Sequence, residues 1–374
     1  MSGLLARHFA AAHARGEGWA DVTQACAEQL ERQSPDANLG FVYATDPLAG
    51  DLASVVALLR ERTGIADWVG CIGMGVCAPG QEYFGEPALS VLAAALPPDR
   101  FRLFTPTSAR AGLLTRDGWL ERVRPTVGIV HGDPRDAGIT AAVSALSGGS
   151  SLFLVGGLAA AAGTPAQVAG TVVEGGLSGV LLAPDIPLIT GLTQGCSPIG
   201  PIRRITEAHD NIVMAIDERP ALEVFREDIG ELLSRDLRRV AGLIFAGFPV
   251  SGSDTGDYLV RNIVGIDARR QWVAAAHEVA PGDRILFCRR DAPSAAADLD
   301  RMLKDLKRRA DGVPRAGLYF SCIGRGPNLF GEPSREVAAI RAVLGDFPLA
   351  GFFGNGEIAH DRVYGYTGVL ALFL

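Results

Sequence analysis

Two apolar runs near the end of the chain each lead into a glycine-rich turn, and both turns carry groups able to do chemistry. Leu318-Tyr319-Phe320-Ser321-Cys322-Ile323-Gly324-Arg325-Gly326 offers a thiol and a guanidinium. Pro348-Leu349-Ala350-Gly351-Phe352-Phe353-Gly354-Asn355-Gly356-Glu357-Ile358 offers an amide and a lone carboxylate. Glycine lets backbone N–H groups approach a ligand because no Cβ intervenes. Arg325 can grip a carboxylate or phosphate with a two-pronged fork. Glu357 can meet a cationic amine, or it can bridge to Arg325 and hold the two turns together. Both roles stay open at this stage, as does a plain pair of tight turns. The amides of Gly324, Gly326, Gly354 and Gly356 would add donors. Cys71 and Cys196 also sit at strand ends beside glycines. The candidate ligand-binding set is therefore Cys322, Arg325, Gly326, Gly354, Asn355, Glu357, Cys71 and Cys196.

Other chemistries leave different marks. Cys71-Ile72-Gly73-Met74-Gly75 places Gly-x-Gly after a strand, but no third glycine or helix follows in register, so a dinucleotide fold is not indicated. Walker A and Gly-x-Ser-x-Gly motifs are absent from the sequence. A cysteine nucleophile at Cys322 is conceivable if Arg325 lowers its pKa and Glu357 or His360 serves as base. None of the six cysteines forms a Cys-x-x-Cys pair, which argues against structural zinc.

The elements that must position these residues alternate strands and helices. Helical spacing is read over 3–15 and 19–33. Strands are read at 39–45 and 67–72 around a helix at 50–62, followed by a loop to Gly85. Strands at 88–95 and 101–105 read as a hairpin-like stretch. A second strand–helix–strand block spans 126–156, and strands continue to 193. After a strand at 211–216 and a helix at 219–233, a further set of strands precedes a helix at 293–309. The chain closes with strand 316–322, helix 333–344 and strands at 348–353 and 362–373. Alternation mixed with clustered strands predicts an α+β fold of layered mixed β-sheets flanked by helices. Phe84-Gly85-Glu86-Pro87 recurs as Phe330-Gly331-Glu332-Pro333, which suggests internal duplication.

These motifs resemble those of a known family. The Cys-x-x-Arg-Gly run, the Gly-Phe-Phe-x-x-Gly-Glu-Ile run and the closing Tyr366-Thr367-Gly368-Val369-Leu370 are similar to the FIST C-terminal domain. Trp68-Val69-Gly70-Cys71-Ile72-Gly73, Gly195-Cys196-Ser197-Pro198-Ile199-Gly200-Pro201 and Asp217-Glu218-Arg219-Pro220-Ala221-Leu222-Glu223 resemble the FIST N-terminal domain and its junction. The resemblance implies N-terminal helices at 1–38, a FIST N-terminal domain at 39–220 and a FIST C-terminal domain at 221–374, in a stand-alone, bacterial-type arrangement. It further implies a sensory, signal-transduction protein binding a small molecule, with amino acids or carboxylates as candidate ligands. With no kinase, cyclase or F-box in the sequence, the signal would pass to a separate protein. Some family members are haem-based nitric oxide sensors, so haem stands as an alternative cofactor.

Composition narrows the classes. The 374 residues are 48% hydrophobic and 21% charged, with a net charge of −7. That is an ordinary globular balance, without the basic stripe that nucleic acid or an anionic membrane requires. No apolar run reaches the ~18 residues of a membrane span. The N-terminus lacks the pattern of a secretory signal, so a cytoplasmic location is expected.

Overall fold

The computed structural model describes residues 9–34, 36–106, 118–148, 152–234, 237–250 and 257–374. The chain divides into two compact units, one made of Met1–Thr193 with Leu299–Leu374, the other of Gln194–Asp298. The spatial units thus do not follow chain order, and the 220/221 junction read from sequence falls inside the second.

The first unit repeats one pattern three times. The first copy runs β1 (Phe9–Arg15), α1 (Trp19–Gln33), β2 (Leu39–Thr45), α2 (Leu52–Thr63), β3 (Asp67–Gly73), β4 (Gly75–Ala78), β5 (Gln81–Phe84) and β6 (Ala88–Ala94). The second runs β7 (Phe101–Phe104), α3 (Trp119–Val123), β8 (Val127–Gly132), α4 (Ile139–Gly148), β9 (Phe153–Leu158), β10 (Gln167–Ala169), β11 (Thr171–Val173) and β12 (Leu177–Leu182). The third opens with β13 (Leu188–Gln194).

There the chain leaves for the second unit. Its strands are β14 (Cys196–Pro198), β15 (Arg203–His209), β16 (Ile212–Ile216), β17 (Arg219–Pro220), β18 (Ile244–Pro249), β19 (Tyr258–Asp267), β20 (Trp272–Ala275) and β21 (Arg284–Arg290). They form an eight-stranded sheet that closes on itself, because β18 pairs with both β19 and β21. Helix α5 (Ala221–Ile229) buries Leu222, Val224 and Phe225 in its core, while α6 (Glu231–Ser234) follows directly.

The third copy then resumes with α7 (Ala292–Ala310), β22 (Ala316–Cys322), α8 (Pro327–Phe330), α9 (Arg335–Leu344), β23 (Leu349–Gly354), β24 (Glu357–His360), β25 (Arg362–Tyr364) and β26 (Thr367–Phe373).

Each copy has a parallel pair joined by a helix: β2 with β3, β8 with β9, and β22 with β23. These strands are buried almost throughout, as a sheet covered on both faces requires. After the pair, each copy sends a hairpin into another copy's sheet. β4 pairs with β23, β10 with β3, and β24 with β9. The hand-off is cyclic, and it produces three six-stranded sheets. One glycine in each pair permits the close approach of the two strands. A Cβ at Gly70, Gly156 or Gly351 would lie 1.8 Å from the carbonyl oxygen of Val42, Val130 or Tyr319 respectively.

The helices cover the outer faces. In the first copy Val22, Cys26, Ala27 and Leu30 of α1 pack with Val55, Val56 and Leu59 of α2. Gly64, at φ +73°, ends α2 in a left-handed cap that a side chain would disfavour. The α7 residues Leu299, Met302, Leu303 and Leu306 play the corresponding part in the third copy.

The α+β class holds, and the internal repeat is threefold. Phe84-Gly85-Glu86-Pro87 follows strand β5, whereas Phe330-Gly331-Glu332-Pro333 follows helix α8, so that echo does not mark equivalent places. Three expectations are corrected. Residues 9–15 form a strand, because pairing with β6 overrides the helical preference of the alanines; residues 3–8 lie outside those described. The stretch before Gly85 is a hairpin, not a loop. The strands at 88–94 and 101–104 belong to different sheets, since β7 pairs with β12. Among the described residues no helix is long and apolar enough to cross a membrane.

Candidate functional site

Strand register brings equivalent positions of the three copies together. Tyr43, His131 and Phe320 each follow the residue that faces the close-approach glycine. Their ring centroids form a near-regular triangle, 5.6, 6.2 and 6.3 Å on its sides. Phe352 stacks on Tyr43 at 5.2 Å. The Tyr43 hydroxyl lies 3.2 Å from His131 Nε2, and burial pushes the imidazole down to about 3, so it stays neutral.

One or two residues beyond the strands, and four after each close-approach glycine, three backbone N–H groups make a matching cycle of hydrogen bonds. Met74 donates to Phe353 O (3.0 Å), Ala160 to Ile72 O (3.0 Å) and Asn355 to Leu158 O (3.0 Å). These three residues line one cleft of about 420 Å³, with Pro134, Arg135, Ile323, Pro165 and the 161–163 loop completing it. The cleft therefore lies at the carboxyl ends of the parallel pairs, the usual place for a ligand in sheets of this kind. Its lining is mostly small and apolar. Asn355 is exposed, and Arg135 is the one charged member of the lining among the described residues. Asp133 steadies that guanidinium with contacts of 2.7, 3.1 and 3.3 Å.

Two residues after Ile323 and Asn355, Arg325 and Glu357 enter a buried polar region. A turn after β22, closed by Arg325 N–H donating to Cys322 O at 2.8 Å, aims Arg325 inward. Gly326 then adopts φ +52°, where a Cβ would press on Phe353 and Phe84. Arg325 Nε donates to Glu336 Oε1 at 2.8 Å, and neither side chain is exposed. Burial opposes the charge on Arg325, but Glu336 together with Tyr319 and Glu357 keeps the pKa raised. Glu336 also accepts from Tyr319 Oη (2.6 Å), Ser321 Oγ (3.2 Å) and Gly326 N–H (2.9 Å). Glu82 of β5 accepts from the N–H groups of Ser334 (2.7 Å) and Val337 (3.3 Å) at the start of α9.

The bridge weighed for Glu357 and Arg325 does not form, because Glu336 enters from α9 and takes the Nε. Glu357 Oε2 instead accepts from Thr367 N–H (3.1 Å) and Oγ1 (2.7 Å). Burial pushes Glu357 up to about 8. The lowered thiol pKa considered for Cys322 is also reversed. Burial and then Glu357 push it up to about 12 despite Arg325, which leaves no thiolate at neutral pH. His360, the other base considered, is exposed and contacts Asp361 at 3.2 Å.

The remaining candidates separate. Gly326 N–H is committed to Glu336. A Cβ at Gly354 would strike Leu158 O at 2.4 Å, so this glycine serves strand packing. Cys71 is fully buried within β3, and its thiol pKa is raised by desolvation. Cys196 belongs to the second unit, where it accepts the Tyr258 hydroxyl at its carbonyl (2.5 Å) and lies against Cys288. Sequence reasoning reached Asn355 but missed Met74, Ala160 and Arg135 as cleft residues, and Glu336 as the partner of Arg325. Among the described residues the cleft lining has neither histidine nor cysteine, so they supply no donor set for haem. His131 offers no axial position, being enclosed by Tyr43, Phe320 and Phe352. Among the described residues no group of three or more His, Cys, Asp or Glu could hold a metal ion.

The raised carboxyl groups set a pH dependence. Unfolded, Glu357 releases its proton near 4.5; folded, it keeps it to about 8. Glu82 behaves likewise, up to about 7. The folded state holds more protons across that window, so stability is full below it and falls as pH rises through it. Urea denaturation is expected to give a lower unfolding free energy at about pH 9 than at about pH 5, by a few kcal/mol, with the drop reduced in Glu357→Gln. A wild-type profile that is flat or rising over this range would contradict the assignment.

The FIST N domain profile matches residues 38–219 and the FIST C domain profile matches residues 221–360. An uncharacterized protein of Mycobacterium tuberculosis strain H37Rv is 30% identical over 383 residues, covering 98% of this chain and 95% of its own length. An uncharacterized protein of Mycobacterium bovis is 29% identical over 381 residues, covering 91% of this chain and 97% of its own. Human F-box only protein 22 is 35% identical over 77 residues, 20% of this chain and 18% of that protein. The chain belongs to the FIST family, as a FIST N domain followed by a FIST C domain. FIST domains are generally linked to signal transduction and small-ligand sensing. The junction between the two matches falls inside the second compact unit; in the first unit the opening strand of the third copy, β13, lies in the FIST N match and its parallel pair in the FIST C match.

Proposed function

We propose that this FIST protein binds a small molecule in the cleft at the carboxyl ends of its parallel strands and reports occupancy to a separate protein. The supporting observation is that Met74, Ala160 and Asn355, at equivalent positions of three copies, line one space. The ligand touches all three copies at once, so it favours whichever arrangement of the copies gives it better contacts. A ligand shifts such an equilibrium only through that difference.

The lining selects the ligand class. Small apolar residues suit a compact body with a short side chain. Asn355 gives it an amide to pair with, and Arg135 at the mouth attracts a carboxylate. Small amino acids and small carboxylates fit this description, with the cleft's asymmetry setting their orientation. Cys322 does not act as a nucleophile in this reading, since its thiol stays protonated.

A thermal-shift and calorimetric screen of amino acids and small carboxylates tests the proposal. The expected hit binds wild type saturably and loses at least about tenfold in affinity, ~1.4 kcal/mol, in Ala162→Trp, which fills the cleft from an exposed position. Asn355→Leu should weaken binding without a change in folding. A hit whose affinity survives Ala162→Trp, or a screen without any saturable ligand, overturns the reading.

A further inference from the structure

Two sets of equivalent positions wall the cleft, and one member departs from the rest. Met74, Ala160 and Asn355, each four residues after a close-approach glycine, all line it. Asp46, Pro134 and Ile323 each lie four residues after the residue that faces that glycine. Pro134 and Ile323 line the cleft as well. In the first copy the place falls to a carboxylate, and that carboxylate is engaged by the cleft's own wall. Asp46 Oδ1 accepts the N–H of Ala162 at 2.9 Å, and Ala162 is a lining residue.

The loop that carries Ala162 belongs to one copy only. Met74 alone connects β3 to β4, and Asn355 with Gly356 connects β23 to β24. The connection from β9 to β10 runs from Ala159 to Ala166. Backbone fixes its two ends: Ala159 N–H donates to Gly132 O (2.8 Å), Ala160 N–H to Ile72 O (3.0 Å), and Ile72 N–H to Ala166 O (3.0 Å). Its tip, Ala162-Gly163-Thr164, is exposed, and a Cβ added at Gly163 would meet nothing within 4 Å. Among the described residues, Asp46 supplies the one hydrogen bond that holds this tip. Asp46 itself is half-buried and has no ion-pair partner among the described residues. A carboxylate met only by a neutral N–H is open to a cation, because a charge-assisted hydrogen bond is about twice as strong as a neutral one.

We propose that Asp46 reads the amine of the ligand, and that the tip of the 159–166 loop holds its place until the amine arrives. This rests on the reading of the cleft as a ligand site and selects within it: α-amino acids over carboxylates that lack the amine. The ammonium takes Asp46 Oδ1, and the ligand carboxylate faces Arg135. Ala162 N–H passes to water, which its exposed position allows. The tip carries only small side chains, so little packing is lost when it moves. Both ends stay fixed, and the change is confined to 161–164. Occupancy thus alters an exposed segment that a separate protein can recognise.

The test uses the full chain. Each α-amino acid is titrated beside the carboxylate that lacks its amine, alanine beside propionate for instance, and hydrogen exchange is followed in the 159–166 loop. Wild type is expected to bind an amino acid at least about tenfold more tightly than its deaminated counterpart. Asp46→Asn keeps the shape but not the charge, and should bring the two within about threefold. Exchange at Ala162 should quicken when the amino acid binds, the reverse of ordinary protection by a ligand. In unliganded Asp46→Ala it should be fast from the outset. Carboxylates that bind as tightly as amino acids overturn the inference and leave the cleft reading standing. Selectivity that survives in Asp46→Asn, or exchange at Ala162 that slows on binding, does the same. Equal exchange in unliganded wild type and Asp46→Ala overturns it without reference to any ligand. Absence of saturable binding by either series overturns both readings.

Discussion

Gly351→Ala is expected to abolish the soluble fold. The new Cβ would lie 1.8 Å from Tyr319 O, inside the parallel pair at the centre of the third copy. The obstacle is backbone, and the two strands are locked by shared hydrogen bonds, so there is no flexible group to give way. A cost of about 4 kcal/mol or more is expected, at the extreme of single substitutions. Gly70→Ala and Gly156→Ala should match it, with added strain from φ values of +156° and +158°. Gly50→Ala is the control: nothing lies within 4 Å of its added Cβ, and the expected change is within about 0.5 kcal/mol. Soluble yield and urea denaturation decide the matter. Equal stability of Gly50→Ala and Gly351→Ala would show that the close approach of strands is not what holds these copies together.

Glu336→Ala should be nearly as damaging. Glu336 receives Tyr319, Ser321, Arg325 and the N–H of Gly326, all in a dry interior. Its removal strands a buried guanidinium that has no other carboxylate bonded to it. Breaking such a pair from one side costs about 3–5 kcal/mol. The exposed Arg335–Glu332 contact, at 3.8 Å, serves as comparison, and Glu332→Ala should be close to neutral. Chemical denaturation of both variants checks the contrast. A Glu336→Ala protein as stable as wild type would mean that the cluster is hydrated.

The strands easiest to read were those buried on both faces. Leu39–Thr45 and Ala316–Cys322 are buried at every position and almost wholly apolar, because helices cover one side and other sheets the other. Helix α7 was legible from Leu299, Met302, Leu303 and Leu306 at helical spacing. Strand β1 was not, since Phe9-Ala10-Ala11-Ala12 reads as helix until β6 is there to pair with it. The β4–β5 hairpin has strands of four residues, too short for a periodic signal. Its Pro79-Gly80 turn was the mark that could have revealed it.

The threefold repeat was hidden because geometry repeats where letters do not. Tyr43, His131 and Phe320 share a position and an aromatic ring, but each is a different residue. Only the glycines persist, in Val69-Gly70-Cys71, Val155-Gly156-Gly157 and Ala350-Gly351-Phe352. Of the site, the turns after β3, β22 and β23 were visible as glycine-rich strand ends. The side chains that complete it were not. Glu336 sits on a helix in a charged-looking sequence, and nothing local says that it turns inward. Met74 and Ala160 are ordinary residues, and only the register makes them neighbours.

The cyclic exchange of hairpins has a consequence for how the chain is made. During synthesis β4 emerges long before β23, the strand it must pair with, and β9 must await β24. The first copy's sheet is complete once β11 is made, but the other two cannot close until the last sixty residues have left the ribosome, and the second unit is threaded out in between. Long-range pairings of this sort slow folding, and they leave unpaired edges open to other chains in the meantime. The β4–β5 hairpin and the free edge of β9 are therefore the segments left uncovered longest, until the closing glycine-rich turns set β23 and β24 in place.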